Sequence, residues 1–380
     1  MSLAASYEGA DDTPGVRGDR DVTRADAVLP KLRVYPSVGD NPYQALLYSA
    51  FGDVVRMERL RRPQLLRRFG FVGKAEVLHF HWEDGTFWKV KSPWIVRWRT
   101  GIVLRMLNRH KASGGKIVWT VHNERPHRAG EFHEGFRTLR SWLVENADLV
   151  HVHSEAARDL LIEQWPVDPA RIAVVPHSSY AGFYAPQASV VPGTKAEGVA
   201  DLLFFGSLNT YKGVDALIGA VGRDGLGGAV RKLTIAGSCV ASRRAELRTA
   251  LADATFEADL RLGRVPDDKV AGLMNPGQFM VLPYQRTLTS GVAHLAITFG
   301  LPVIGPRLGG IAEGLPEAAR DLLYDPEAPD GLADAIRRAA ALSPEEYRAL
   351  SAACIAHAEA IAPETQSRRL IAVMQERGIL

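Results

Sequence analysis

Six short stretches of the chain hold residue types that could move a proton or bind a phosphate. His79, His81, Glu83 and Asp84 sit together in HFHWEDG, and His122 stands in VWTVHNE at the end of an apolar run. A carboxylate or imidazole placed there can take a proton from a hydroxyl, so Glu83 or Asp84, and next His81, are candidate bases, while His122 could hold a hydroxyl or move a proton. Other readings of HFHWEDG stay open: two imidazoles at i and i+2 share a face and could bind a metal, Asp84-Gly85 could be a turn, or the histidines could be satisfied core groups. His177 closes VVPH. FFGSLNTYKG leads through Gly206, Ser207 and Asn209 to Lys212, a point charge able to neutralise a diphosphate leaving group. In QRTLTSG, Arg286 precedes the hydroxyls of Thr289 and Ser290 and the Cβ-free Gly291, where a capped helix would begin and its unpaired N–H groups would attract phosphate. Glu313 follows a glycine turn in GGIAEG, close to that loop in sequence.

These stretches lie at the ends of expected strands. Segments 32–35, 54–57, 77–81, 116–121, 149–152 and 172–175 read as strands, alternating with helices after Asn41-Pro42 and over 94–111, 133–146 and 154–164. A Pro-, Gly- and Ser-containing passage separates them from a second series. Its strands are expected at 201–205, 232–236, 278–283, 303–304 and 322–324, with helices at 212–221, 243–252 and 291–299, and from 331 onward. Repeated β-then-α units imply parallel sheets with helices on both faces, and such sheets bind ligands beyond the carboxyl ends of their strands. The expected layout is a disordered lead over residues 1–29, a first domain over 30–185, a linker over 186–199, a second domain over 200–360, and a C-terminal helical segment over 361–380.

Composition agrees with two soluble globular domains: 380 residues, 46% hydrophobic and 23% charged, with a net charge of +3. No apolar run approaches bilayer length and no signal peptide opens the chain, so a cytoplasmic location is expected. The two cysteines stand far apart and near no histidine at ligand spacing, so neither a disulfide framework nor a zinc site is expected. From Phe51 to Lys116 there are 15 Lys and Arg against 5 Asp and Glu, or 15 − 5 = +10, with Trp82, Trp88, Trp94 and Trp98 interleaved. That mixture suits an anionic membrane surface, would equally serve nucleic acid, and is also what a solvated helical face looks like.

The segments FFGSLNTYKG and LTSG followed by a helix and FGLPV resemble the donor site of GT-B glycosyltransferases. The resemblance is to bacterial exopolysaccharide enzymes related to glycosyltransferase family 4, including the xanthan-pathway β-mannosyltransferase group. It extends over most of the chain from Lys31, with TVHNE matching the family's T-x-H-[DNE] and VVPH its V-x-P-H. It implies two Rossmann-like domains facing a cleft, the first holding the acceptor and the base, the second a nucleotide-sugar donor, with the C-terminal segment 361–380 crossing back onto the first. By that resemblance His122 lies near the transferred sugar and His177 faces the donor. The chain also departs from the family. Thr287 and Leu295 stand where family 4 has a pair of glutamates, and Ser207 or Asn209 where an arginine is usual. Arg286 or backbone N–H groups would then meet the diphosphate, and Glu313 the ribose. The activity implied is transfer of a hexose, GDP-mannose favoured as donor, to a saccharide or lipid-linked acceptor, with no metal required. The resemblance favours a membrane surface over nucleic acid as partner of the basic region. UDP- or dTDP-sugar transfer to a small molecule, a catalytically inactive GT-B subunit, and a phosphorylase or epimerase of the same fold are the alternatives.

Overall fold

The computed structural model describes residues 29–38, 41–60, 76–87, 90, 92–124, 133–274 and 277–380. The lead expected before Leu29, the basic residues 61–75 and Trp88 lie outside the described residues. Two six-stranded sheets are present, every paired strand parallel to its neighbour. The first contains β1 (Lys31–Tyr35), β2 (Arg56–Arg59), β3 (Val77–Phe80), β4 (Lys116–Thr120), β5 (Leu149–Val152) and β6 (Ile172–Val174), in the order β2-β1-β3-β4-β5-β6. The second contains β7 (Ala200–Phe205), β8 (Val230–Gly237), β9 (Glu257–Leu262), β10 (Gln278–Val281), β11 (Val303–Pro306) and β12 (Leu323–Tyr324), in the order β12-β11-β10-β7-β8-β9. The doubly wound fold class expected from the alternating pattern is the one observed.

Side-chain alternation explains why helices cover both faces. In β4, Ile117 and Trp119 join a core closed by Val103 and Leu107 of helix Pro93–Ala112 and Leu139 and Leu143 of helix His133–Asn146. Val118, between them, points to the opposite core, which contains Leu370, Ile371 and Met374 of helix Pro363–Glu376. That last helix therefore packs on the first sheet, although it follows the second in sequence. Ser367 Oγ accepts from the Ala50 N–H at 3.0 Å, and Arg377 donates to the carbonyls of Ala170 and Ile172 at 2.8 and 3.0 Å. The second sheet is sandwiched likewise, by helices Gly291–Thr298 and Pro344–Ala360 on one side and Val214–Val221 and Gly331–Ala341 on the other.

Two local features differ from the sequence reading. Strand β9, EADLRL, is a partly exposed edge strand whose charged residues hide it from an apolar pattern search. Lys212 does not open a helix. It ends the single turn Thr210–Lys212, and the helix starts at Val214 after Gly213, whose φ is 73°.

Candidate active site

In the second sheet the chain winds outward from β7 in one direction and from β10 in the other, so the space beyond the carboxyl ends of these two strands is the topological switch point where doubly wound sheets bind ligands. The loops after both strands meet there. Gly206 follows β7 in an extended left-handed conformation, φ 129°, 3.9 Å from Val292 when a Cβ is placed on it. Asn209 Nδ2 donates to Ser207 Oγ at 3.2 Å. A Cβ on Gly213 would lie 1.8 Å from the Pro283 carbonyl oxygen, so only glycine lets the two loops approach. The Gln285 N–H then donates to the Tyr211 carbonyl at 3.1 Å. Lys212 Nζ lies 3.7 Å from the Tyr284 ring centroid, and the exposed Arg286 guanidinium lies 5.5 Å from that of Tyr211. Two cations thus flank one loop pair without a carboxylate partner among the described residues. Ser290 caps the helix beyond, its hydroxyl accepting from the Ala293 N–H, while Thr289 holds the loop by accepting at its carbonyl from the Thr287 hydroxyl at 2.8 Å. Gly291, Cβ-free, lies against His177 and Tyr180.

Across from this, the carboxyl ends of β3, β4, β5 and β6 present imidazoles. His79, His81, His151 and His153 are buried, as are His177 after β6 and His294 on helix Gly291–Thr298. Their rings succeed one another: His122 to His153 at 5.9 Å, His153 to His177 at 5.5 Å, and His177 stacked on His294 at 4.8 Å. This row connects His122 to Gly291 across the cleft. His122 is half-buried between the Trp82 ring, stacked at 4.1 Å, and the edge-on ring of Tyr43 at 4.8 Å. Trp82 reaches that position with φ 34°, an uncommon left-handed conformation for a bulky residue. All these imidazoles are held neutral. Burial, reinforced by neighbouring imidazoles, keeps His79, His81, His122 and His153 well below the ordinary histidine range, and burial lowers His151 and His177 to about 4 and His294 to about 3.

Three sequence expectations need correction. Glu83 does not face the cleft: its carboxylate is buried in an ion pair with Arg140, accepting from Nε at 2.8 Å and also from Nη2, with Trp119 Nε1 donating at 3.4 Å. An acidic group already holding a buried cation is unavailable as a base. His81 is fully buried with both nitrogens engaged, by Tyr48 at 2.7 Å and His122 at 2.9 Å, so it cannot meet an acceptor hydroxyl itself. Glu313 does not point to a ribose site. Its carboxylate accepts from the Glu155 and Ala156 N–H groups at 2.7 and 2.8 Å, capping helix Glu155–Gln164 of the first domain from the second. Gly310 makes that contact possible, since a Cβ there would come within 2.6 Å of Ser154 Oγ. Asp84 is half-buried, and its carboxylate makes no hydrogen bond among the described residues.

In HFHWEDG all four nitrogens of the two imidazoles are engaged by hydrogen bonds. The rings of His79 and His81 stack at 4.2 Å and share the Tyr48 hydroxyl, and no cluster of three or more His, Cys, Asp or Glu among the described residues is arranged to hold a metal ion. Sequence reasoning missed Arg140, Tyr43, Tyr48, His151 and His153. Arg140 ties the site together: besides Glu83, it donates to the Asn123 and Glu124 carbonyls, both at 2.6 Å, and so pins the backbone immediately after His122. A signal existed for the last two, because VHVHS at the end of β5 repeats the His-x-His pattern of LHFHW at the end of β3.

Known proteins resemble the chain in both halves. Residues 43–178 match the family Glycosyltransferase Family 4, and residues 200–341 match Glycosyl transferases group 1. A GDP-mannose:glycolipid 4-beta-D-mannosyltransferase of Xanthomonas campestris pv. campestris is 28% identical over 301 residues, covering 75% of this chain and 76% of that protein. A D-inositol 3-phosphate glycosyltransferase of Corynebacterium efficiens is 25% identical over 325 residues, 81% of this chain and 72% of the relative. Sucrose-phosphate synthase of Thermosynechococcus elongatus shares the fold with a TM-score of 0.64 at 16% identity, over 92% of this chain and 98% of that one. HepE of Anabaena, solved with UDP-glucose, shares it with a TM-score of 0.64 at 13% identity, over 92% and 100%.

Proposed function

The chain is a GT-B glycosyltransferase, and from that premise we propose that it transfers mannose from GDP-mannose to a hydroxyl of a lipid-linked saccharide, without a required metal. The observation that carries this is the meeting of the Gly206–Gly213 and Tyr284–Gly291 loops at the switch point, with Lys212 and the Ser290-capped helix on one side and His122 on the other. The Xanthomonas likeness supports mannose and a glycolipid.

In this reading Lys212 and Arg286 meet the diphosphate, with Ser207, Asn209, Thr289 and the N–H groups from Gly291 onward completing the cradle. Gly206 and Gly291 keep the wall low enough for phosphate to approach the backbone. His177 borders the donor sugar. The acceptor oxygen attacks the anomeric carbon while the bond to the diphosphate breaks, GDP leaving with the electron pair, and the acceptor proton passes to His122. The cations offset the charge that develops on the leaving oxygen. Asp84 lies on the acceptor side and is the second candidate base, favoured because its carboxylate makes no hydrogen bond among the described residues.

Membrane association belongs to the same proposal. Among the described residues no helix is long and apolar enough to cross a membrane. Helix Pro93–Ala112, however, exposes Trp94 (71%), Ile95 and Trp98 (50%) beside the exposed Arg97, Arg105 and Arg109. Indole rings and cations on one outward stripe favour an anionic bilayer surface, where a lipid-linked acceptor resides.

The test is a thermal-shift panel of GDP, UDP, dTDP and ADP, each with Mg²⁺ or EDTA. A native-state ligand at a hundredfold over Kd adds about 2.7 kcal/mol. GDP should stabilise the protein, with or without EDTA, and Lys212→Ala should abolish the shift. Stabilisation by UDP alone would displace the GDP-mannose reading, and none by any nucleotide would favour an inactive subunit.

A further inference from the structure

The buried imidazoles and hydroxyls form one continuous chain of hydrogen bonds, and its far end fixes the direction of every bond. The Val175 carbonyl can only accept, so His151 Nε2 and His153 Nδ1, at 2.9 and 3.1 Å, both donate to it. In a neutral ring the other nitrogen then accepts. His151 Nδ1 therefore accepts from the Thr120 hydroxyl at 3.0 Å, and Thr120 Oγ1 in turn accepts from His79 Nε2 at 2.7 Å. His79 Nδ1 accepts from the Tyr48 hydroxyl at 2.7 Å, which leaves Tyr48 to accept from His81 Nε2, also at 2.7 Å. His81 Nδ1 must then accept from His122 Nε2 at 2.9 Å. By the same logic Tyr43 donates to His153 Nε2 at 3.1 Å. The relay ends at His122, half-buried, whose Nδ1 makes no hydrogen bond among the described residues.

We propose that this relay locks His122 as its Nε2–H tautomer, keeps the Nδ1 lone pair turned to the cleft as the proton acceptor, and so makes Tyr48, Thr120, His79, His81 and His151 positioning residues. The inference rests on His122 being the base of the proposed transfer. The surroundings suit it: the rings packed on or near His122 are Tyr43, Trp82, His81 and His153, with His79, His151 and His177 beyond, and none carries a charge that would force the imidazole to protonate before substrate arrives.

The sharpest perturbation is Thr120→Val, which keeps the side-chain shape and removes the hydroxyl. His79 Nε2–H would then face a methyl group. A buried N–H without an acceptor costs more than an idle lone pair, so the segment from His79 to His122 should reverse, leaving His122 with its proton on Nδ1. Histidine-selective ¹⁵N labelling of the full chain, with His122 assigned by loss of its signals in His122→Gln, reads the tautomer directly. In wild type Nδ1 should show the resonance of an unprotonated nitrogen and Nε2 that of a protonated one. Thr120→Val should exchange the two and lower kcat about a hundredfold, the scale of a lost general base, with KM for the donor unchanged. Thr120→Ser, which restores the hydroxyl, should recover both tautomer and kcat. A wild-type His122 protonated on Nδ1, or Thr120→Val with unmoved His122 resonances, overturns the relay, and the wild-type spectrum decides even if a variant fails to fold. If the resonances behave as expected but His122→Gln transfers sugar as fast as wild type, the role of His122 as base fails while its locked tautomer stands.

Discussion

Replacing Glu83 with Gln separates a structural carboxylate from a catalytic one. Both partners of the Glu83–Arg140 pair are 2% exposed at their side chains, so Glu83→Gln strands a guanidinium that water cannot reach. Removing one member of a buried pair costs about 3–5 kcal/mol. With a urea slope of about 3 kcal/mol per M for a chain of this size, the unfolding midpoint of the first domain should fall by about 1 M or more. Tryptophan fluorescence is a suitable probe, since the Trp119 ring centroid lies 5.7 Å from the Arg140 guanidinium carbon. Pairing the change with Arg140→Met should recover only part of the loss, because that second change also removes the hydrogen bonds Arg140 makes to the Asn123 and Glu124 carbonyls. An unchanged midpoint together with a kcat lowered at least about a hundredfold would refute this account and return Glu83 to the role of base.

The neutral imidazoles make the fold sensitive to acid. Their unfolded pKa is 6.5 and their native values lie lower, so below pH 6.5 the unfolded chain binds protons that the native chain does not, and stability falls until the native values are reached, at about 4 for His151 and His177 and about 3 for His294. At pH 5.5 each of these three contributes a loss on the order of 1 kcal/mol relative to pH 8, a few kcal/mol together, which urea titrations at the two pH values would measure. Lys212→Ala should weaken GDP binding, measured by calorimetry, by at least about tenfold while leaving the unfolding midpoint nearly unchanged, because Lys212 makes its contacts at the loop surface. Trp94→Ser with Trp98→Ser should reduce co-sedimentation with phosphatidylserine vesicles and leave GDP binding intact; equal sedimentation would remove this helix from the membrane reading.

Much of the architecture was legible because parallel strands buried on both faces are continuous apolar runs. VLHF, KIVWT and LVHV announce themselves, whereas EADLRL at the sheet edge does not. The positions of His122, Lys212 and Ser290 were legible for a related reason: loops that follow such strands must face the ligand side of the sheet. The partners of Glu83 and Glu313 were not. Arg140 lies 57 residues from Glu83, and the helix N-terminus that Glu313 caps lies 158 residues away, so neither contact leaves a trace in local spacing. The relay was hidden in the same way, since His79, Thr120 and His151 come together only when β3, β4 and β5 align in register, and Tyr48 joins them from the end of helix Tyr43–Leu47.

The most direct test of the catalytic reading is to incubate the full chain with GDP-mannose and a lipid-linked saccharide in EDTA and determine the linkage of the product by NMR. GDP-mannose carries its sugar in α linkage, so single displacement should yield a β-mannoside and one GDP per product, with His122→Gln slower by about a hundredfold or more. An α-mannoside, or turnover only with a UDP-sugar, would contradict the proposed donor chemistry.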